Sequence, residues 1–379
     1  MIELIKKFFI KFPKKSKKYK IIFILSLVFY IFLLSIVTIK VPYEIVTPGA
    51  AGSALEGIQI GDEKNTTNIY SLGIYTKKNI SILEKWMALV NKKIDLEPYD
   101  KSTDLSPTEY YQFGKTMMDI GNTNSIIVAY EEYLEKNDPI SYNPYIPSKI
   151  KFEKQFKGIV VTARPNYDNI GVRPNDIITN INDKMIYSIA DLREELIQLT
   201  TGPEGQLNVM FSLTRFYKTS SEYSTIVDHK INYYTENDRL IFNIGLGLEE
   251  FFAIDEIYPM VYLQETNSIG SSGSIMTALA IYEIISEENI TKGYKIVGTG
   301  SLNHDGKVTS IGGIKQKIYT AATKGYGFDI FFVPDDNYEE ALEAYDMIFE
   351  NNEPTFILKN INTFDDVLLF LDSLEVKNG

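Results

Sequence analysis

Gly270-Ser271-Ser272-Gly273-Ser274 opens an apolar run in which Ile275, Met276, Leu279, Tyr282 and Ile285 recur at helical spacing. Ala278, Ala280, Ile281 and Ile284 fill the other faces, so the pattern predicts a helix buried nearly all round. Gly298-Thr299-Gly300 and Ile311-Gly312-Gly313-Ile314-Lys315-Gln316-Lys317 follow it. Strand-like runs at 294–297, 308–311, 328–333 and 355–358 alternate with helical patterns over 314–324, closed by Gly325, and from Tyr338 onward. Thr363-x-x-Asp366 reads as the cap of a last helix. From residue 241 the chain is therefore of α/β type.

A serine at the mouth of a buried helix has two physical assets. First-turn amides lack intrahelical partners, and the helix dipole favours negative charge there. Together they can hold the oxyanion of an acyl-transfer intermediate; serine is also simply a good N-cap. The serine needs a base, and lysine serves if burial keeps it neutral. Serine–lysine pairs are a known variant of triad logic. Lys315 and Lys317 flank the stripe of Ile314, Ile318 and Ala321 on opposite sides, and periodicity does not choose between them. Ser271 and Ser274 rival Ser272 as nucleophile.

Composition narrows the chemistry. The 379 residues contain no cysteine, which excludes a cysteine nucleophile, a disulfide framework, thiolate zinc and iron–sulfur clusters. The two histidines, His229 and His304, form no His-Glu-x-x-His helix. His304 sits in a turn signal, Asn303-His304-Asp305-Gly306, and His229 in a polar stretch; both are expected to be solvated. No metal site and no cofactor are expected. Net charge is −12, although the first twenty residues alone carry eight lysines and one glutamate. So acidic a remainder lacks the basic face that nucleic-acid binding needs. Gly300 to Lys307 has the wrong glycine spacing for a phosphate loop, and Val308 replaces its Ser/Thr, so no nucleotide is expected.

The chain divides into a basic tail (1–20), an uncharged apolar segment (21–39), a mixed region (40–155), a β-rich module (156–217), a linker (218–240), whose polar residues 218–230 also read as a hairpin excursion, and the α/β part (241–379). The apolar segment is long enough to cross a bilayer. Lysines on its N-terminal side place residue 1 in the cytoplasm and residue 40 onward outside. In the mixed region, Ser106-Pro107-Thr108-Glu109 reads as a helix start. Residues Ile82, Leu83, Trp86, Leu89 and Val90 show helical spacing, with Trp86 expected in a core. The module reads as strand, turn, strand, an Asn182-Asp183 hairpin, a helix capped by Ser188-x-x-Asp191, and a final strand from Leu207 to Leu213. This order resembles a PDZ domain, with Asn175 and Asn182 in place of the usual glycines. The resemblance implies that Lys157, Gly158 and Ile159 form the loop whose amides hold a peptide carboxylate.

Residues 270–320 resemble the Lon-type serine–lysine proteolytic domain, whose patterns are Gly-Pro-Ser-Ala-Gly and, later, Thr-Gly followed by Gly-Gly-x-x-x-Lys. The resemblance implies Ser272 as nucleophile, Lys317 as general base and Thr299 as the residue that positions the lysine. Backbone amides near Ser271 and Ser272 would stabilise the oxyanion. Val41-Pro42-Tyr43, Thr47-Pro48-Gly49, the run from Gly293 to Gly300 and Ile311-Gly312-Gly313-Ile314 extend the similarity to YlbL-like PDZ–Lon membrane proteases of Gram-positive bacteria. The fold implied is an α/β (α+β) Lon-type proteolytic domain, preceded by a small β-rich PDZ-like domain and an N-terminal transmembrane helix. The activity implied is an ATP-independent, membrane-anchored serine endopeptidase acting on short or unfolded extracytoplasmic peptides or proteins, with homo-oligomeric rings by family analogy. The chain departs from the family at Ser271 (for Pro), Gly273-Ser274 (for Ala-Gly) and Ile269 (for an acidic residue in some members). These departures leave a second expectation open: a catalytically inactive PDZ/Lon-like scaffold binding secreted peptides or membrane proteins.

Overall fold

The computed structural model describes residues 17–62, 64–99, 107–137, 150–163, 171–216, 222–323, 325–350 and 353–377. Helix α1 (Lys17–Thr38) precedes strands β1 (Tyr43–Ser53), β2 (Ile58–Ile60) and β3 (Ile69–Lys78), helix α2 (Ile82–Val90), strand β4 (Asp95–Pro98) and the long helix α3 (Pro107–Asn137). A β-rich stretch follows: β5 (Lys151–Ala163), β6 (Ile177–Ile181), β7 (Lys184–Met185), α4 (Ile189–Leu199), β8 (Glu204–Phe216), β9 (Glu222–Glu236), β10 (Arg239–Asn243) and β11 (Gly247–Tyr258). The last part holds β12 (Val261–Leu263), α5 (Ser274–Ser286), β13 (Ile296–Gly298), β14 (Ser301–Leu302), β15 (Val308–Thr309), α6 (Ile314–Thr323), β16 (Ile330–Pro334), α7 (Tyr338–Phe349), β17 (Ile357–Ile361) and α8 (Phe364–Asp372). The chain forms two compact units, residues up to 47 with 75–102, and 48–74 with the remainder.

In the first unit, α1 is long and apolar enough to cross a membrane, and most of its side chains from Ile21 to Ile39 are exposed. Residues Tyr43–Val46 of β1 pair antiparallel with β4. Ser81 caps α2 through a reciprocal capping box with Glu84. Trp86 is not in a core: it is 48% exposed on α2.

In the second unit, strands run in the order β17-β16-β13-β3-β1. Strand β13 is parallel to both β3 and β16, and β16 is parallel to β17. Because both faces of this sheet are covered, β16 reads as the unbroken apolar run Ile330-Phe331-Phe332-Val333-Pro334, buried throughout. Ile330 and Phe332 pack with Ile275, Met276 and Leu279 of α5. Phe331 and Val333 point the other way, against Ile314 and Ile318 of α6 and Ala341 of α7. Helix α5 is buried except at Glu283, Ile284 and Ser286, as its sequence requires. Thr363 caps α8 by accepting from the Asp366 amide.

The β-rich module is larger than the sequence suggests. Its sheet runs β10-β9-β8-β6-β5-β11, so strands extend through the expected linker and past residue 241. The hairpin reading of that stretch is the one realised: β9 pairs with β8 from Glu222↔Phe216 to Tyr234↔Glu204. Val227, His229, Ile231 and Tyr233 alternate inward with polar residues outward, a strand period that the polar outer face conceals. His229 is accordingly buried, not solvated. Asn182 and Asp183 both adopt positive φ at the β6–β7 hairpin, and Ser188 caps α4.

Two further segments of the mixed region belong to the second unit. Residues 48–53 and 69–74 of β1 and β3 complete the sheet. Helix α3 begins where expected, while the cap at Ser106 lies outside the described residues. It packs on α5: Ser125 Oγ donates to the Ser274 carbonyl at 2.7 Å. Phe332→Ala, which empties a fully buried site beside α5, is expected to cost about 3–5 kcal/mol, read as a lowered denaturation midpoint of the full chain.

Candidate active site

A turn, a strand end and a helix meet at the start of α5. The Gly270–Gly273 turn delivers Ser272, one residue before the helix N-cap Gly273. The end of β13 delivers Thr299, fully buried, and α6 delivers Lys317, 1% exposed. Lys317 Nζ lies 2.8 Å from Ser272 Oγ and 2.6 Å from Thr299 Oγ1. Thr299 Oγ1 in turn donates to the Ser272 carbonyl at 2.8 Å, and that carbonyl also accepts from the Gly300 amide at 2.8 Å. The lysine's choice of side is thereby decided. Lys317 shares the buried side of α6 with Ile314 and Ile318, whereas Lys315 is only part-buried.

Burial lowers the Lys317 pKa to about 7. The amine's hydrogen-bond partners among the described residues are two hydroxyls and no carboxylate, so burial disfavours the charged form. In the neutral form its lone pair can accept the Ser272 proton while an N–H donates to Thr299, and the Thr299 hydroxyl continues the chain to the Ser272 carbonyl.

The rival serines are otherwise engaged. Ser271 Oγ bonds Ser301 Oγ at 2.7 Å. Ser274 Oγ is buried, accepting from the Leu302 amide at 2.7 Å. The amides of Ser271, Ser272 and Gly273 make no hydrogen bond among the described residues. They border a narrow cleft of about 130 Å³, walled by Ser53, Ser71, Gly73, Met118, Asn122 and Ile269. Two walls come from segments in which the sequence showed no chemistry. A Cβ on Gly121 of α3 would fall 3.0 Å from that of Ser271, so a bare backbone is needed to seat the turn. Asn124, one helical turn on, donates to the Leu302 carbonyl at 2.9 Å. The absence of a side chain at Gly121 was the one available signal, and it needs the fold to be read.

Residues 256–370 match the Lon protease (S16) C-terminal proteolytic domain. This chain carries an S16-type proteolytic domain. No curated protein matches the chain. Ser272, Thr299 and Lys317 all lie inside the matched span; β1, β3 and α3 lie before it.

The remaining sequence candidates fall elsewhere. Lys157, Gly158 and Ile159 are not a loop: they lie within β5, where Gly158 pairs with Phe251 and Ile159 with both Glu250 and Ile178. One end of that sheet is β11, whose Glu250 accepts from the Ile189 amide of α4 at 2.7 Å; the other is β10. His304 occupies its expected hairpin between β14 and β15 but is only partly solvated, 3.0 Å from Glu250 and with its ring 4.6 Å from that of Phe252. His229 bonds the Ile244 carbonyl at 2.7 Å, and burial lowers its pKa. Among the described residues no group of acidic and histidine side chains could hold a metal ion.

The lysine's burial has a measurable cost. Its folded pKa of about 7 lies below the unfolded value of about 10.4. Between the two, the unfolded chain binds a proton that the folded chain does not, so stability rises with pH across that window and the penalty is complete below it. Lys317→Met is expected to stabilise the protein by a few kcal/mol near pH 7 and much less near pH 10, checked by thermal unfolding at both.

Proposed function

We propose that the chain is a membrane-anchored, ATP-independent serine endopeptidase with Ser272 and Lys317 as its catalytic dyad. The supporting observation is the 2.8 Å contact between a hydroxyl and an amine whose pKa burial has lowered to about 7. Neutral Lys317 takes the Ser272 proton as Oγ attacks the peptide carbonyl. The unpartnered amides at 271–273 receive the oxyanion. The lysine then passes its proton to the leaving amine, and a water, deprotonated by the same lysine, hydrolyses the acyl-enzyme. Thr299 keeps Nζ aimed at Oγ. The narrow cleft favours flexible chains with small side chains near the scissile bond over folded substrates. Helix α1 supplies the anchor, with residue 40 onward outside the cytoplasm.

The PDZ-like module would offer peptides the outer edge of β11 beside α4, where an added strand could continue the sheet. The inactive-scaffold alternative keeps this binding role and lacks the chemistry.

The test uses the full chain in detergent, a mixed peptide library and mass spectrometry of the products. Cleavage by the parent and its loss in Ser272→Ala are expected. Lys317→Met should lower the rate on the order of 10²–10⁴-fold, and the double variant should be no worse than either single one, as for residues acting as one unit. Equal cleavage by parent and Ser272→Ala would overturn the nucleophile; peptide binding without cleavage would favour the scaffold.

The rate is expected to rise with pH through about 7 as Lys317 loses its proton. Glu249, whose carboxyl burial pushes up to about 7, approaches the Asn124 amide at 3.5 Å and titrates in the same range. Glu249→Gln should therefore leave this limb in place; its disappearance in that variant would reassign it.

A further inference from the structure

Helix α2 is amphipathic with its sides exchanged. Trp86, Met87, Leu89 and Val90 are 48%, 57%, 65% and 85% exposed. At about 100° per residue they form one continuous side of the helix, with Leu83 among them. The opposite side is small or polar. Ala88 is buried at 5%, Glu84 closes the capping box and pairs with Lys77, and Lys85 Nζ stands 3.6 Å from the centre of the Tyr43 ring. Within its own unit the helix is thus anchored by polar and cation–π contacts, and its large apolar side chains are turned outward. A contiguous patch of this kind marks an interaction surface.

The same unit indicates what covers it. Helix α1 ends at Thr38, and the Ile39 carbonyl accepts from the amide of Ile82, the first residue of α2, at 3.3 Å. Lys40 forms a bridge with Ser81, and the Val41 amide donates to the Ile80 carbonyl at 2.8 Å. The start of α2 is thereby tied to the residues immediately past the end of the apolar span. Lys92 and Lys93 follow α2 and are exposed, and Lys40 and Lys77 are more than half exposed beside it. An apolar side carrying a tryptophan, rimmed by lysines, at the end of a spanning helix has the chemistry of an interfacial helix. We propose that α2 lies in the lipid–water interface of the leaflet where α1 ends. Trp86, Met87, Leu89 and Val90 enter the acyl-chain boundary, and the lysines meet anionic phosphates. This rests on the reading of α1 as a membrane span.

Trp86 is the sole tryptophan of the chain, so its fluorescence reports on α2 alone. The full chain would be reconstituted into phosphatidylcholine–phosphatidylglycerol vesicles, with and without brominated acyl chains. Insertion of α1 would be scored separately by resistance to alkaline extraction. The expected result is extraction-resistant protein whose Trp86 emission falls about twofold or more in brominated lipid and is shielded from acrylamide. Leu89→Asp with Val90→Asp should weaken the bromolipid quenching while extraction resistance persists. Resistant protein whose Trp86 is quenched by acrylamide and blind to bromolipid overturns the proposal. Emission that is shielded from both quenchers, and that becomes acrylamide-accessible on dilution with lipid, overturns it in favour of a second copy of the chain. Protein removed by alkali overturns the anchored reading itself, and the inference falls with it.

Discussion

One amine held out of water organises this active site. Lys317 is enclosed by α6, by the end of β13 and by the turn before α5, with two hydroxyls as hydrogen-bond partners. A protonated lysine is poorly served there, because hydroxyls carry no compensating charge. The fold accepts that cost through cores on both faces of one sheet, Ile330 and Phe332 toward α5 and Phe331 and Val333 toward α6 and α7. The same strand layer thus fixes the helix that follows Ser272 on one side and the helix that carries Lys317 on the other. Helix α6 brings to Ser272 an amine at hydrogen-bond distance that is neutral above a pH of about 7, the arrangement an acyl-transfer nucleophile needs.

The departures from the Lon-type motif lie around the nucleophile, and the structure shows how they are accommodated. Ser271, in place of the family's proline, is tied to Ser301. Ser274, in place of its glycine, is a structural pin between the turn and β14 through the Leu302 amide. Neither competes for the lysine. The altered residues brace the turn against β14, while from α3 Asn124 holds the Leu302 carbonyl of β14 and Ser125 the Ser274 carbonyl at the start of α5.

Legibility in the sequence followed contact range. The helix after Ser274 and the caps at Ser188 and Thr363 are short-range signals, and each stands where the chain placed it; Lys317 was singled out over Lys315 by the family resemblance alone. The role of β3 was not readable, because its partner β13 lies far along the chain and parallel pairing leaves no hairpin signature; β1 enters the sheet only through β3. Helix α3 was visible at its start, but its mixed polarity concealed that Gly121 and Asn124 seat the nucleophile turn. Strand β9 looked like a linker because its outward residues are polar while every second one is inward. Trp86 misled for the opposite reason: helical spacing identifies an apolar side without saying what covers it.

The pairing of Ile69 with Ile296 carries a consequence for how the molecule is made. Strands β1 and β3 leave the ribosome well before β13, β16 and β17, and the whole β-rich module, with its own core, lies in the interval. That module closes largely through neighbouring strands and can form early. The sheet behind Thr299 has to wait with the β13-facing edge of β3 unpaired, a slow, high-contact-order step during which the nascent chain is vulnerable to aggregation and cleavage. A chain interrupted before β13 contains neither Thr299 nor Lys317, so no proteolytic centre can exist until the sheet that houses it is ready to close.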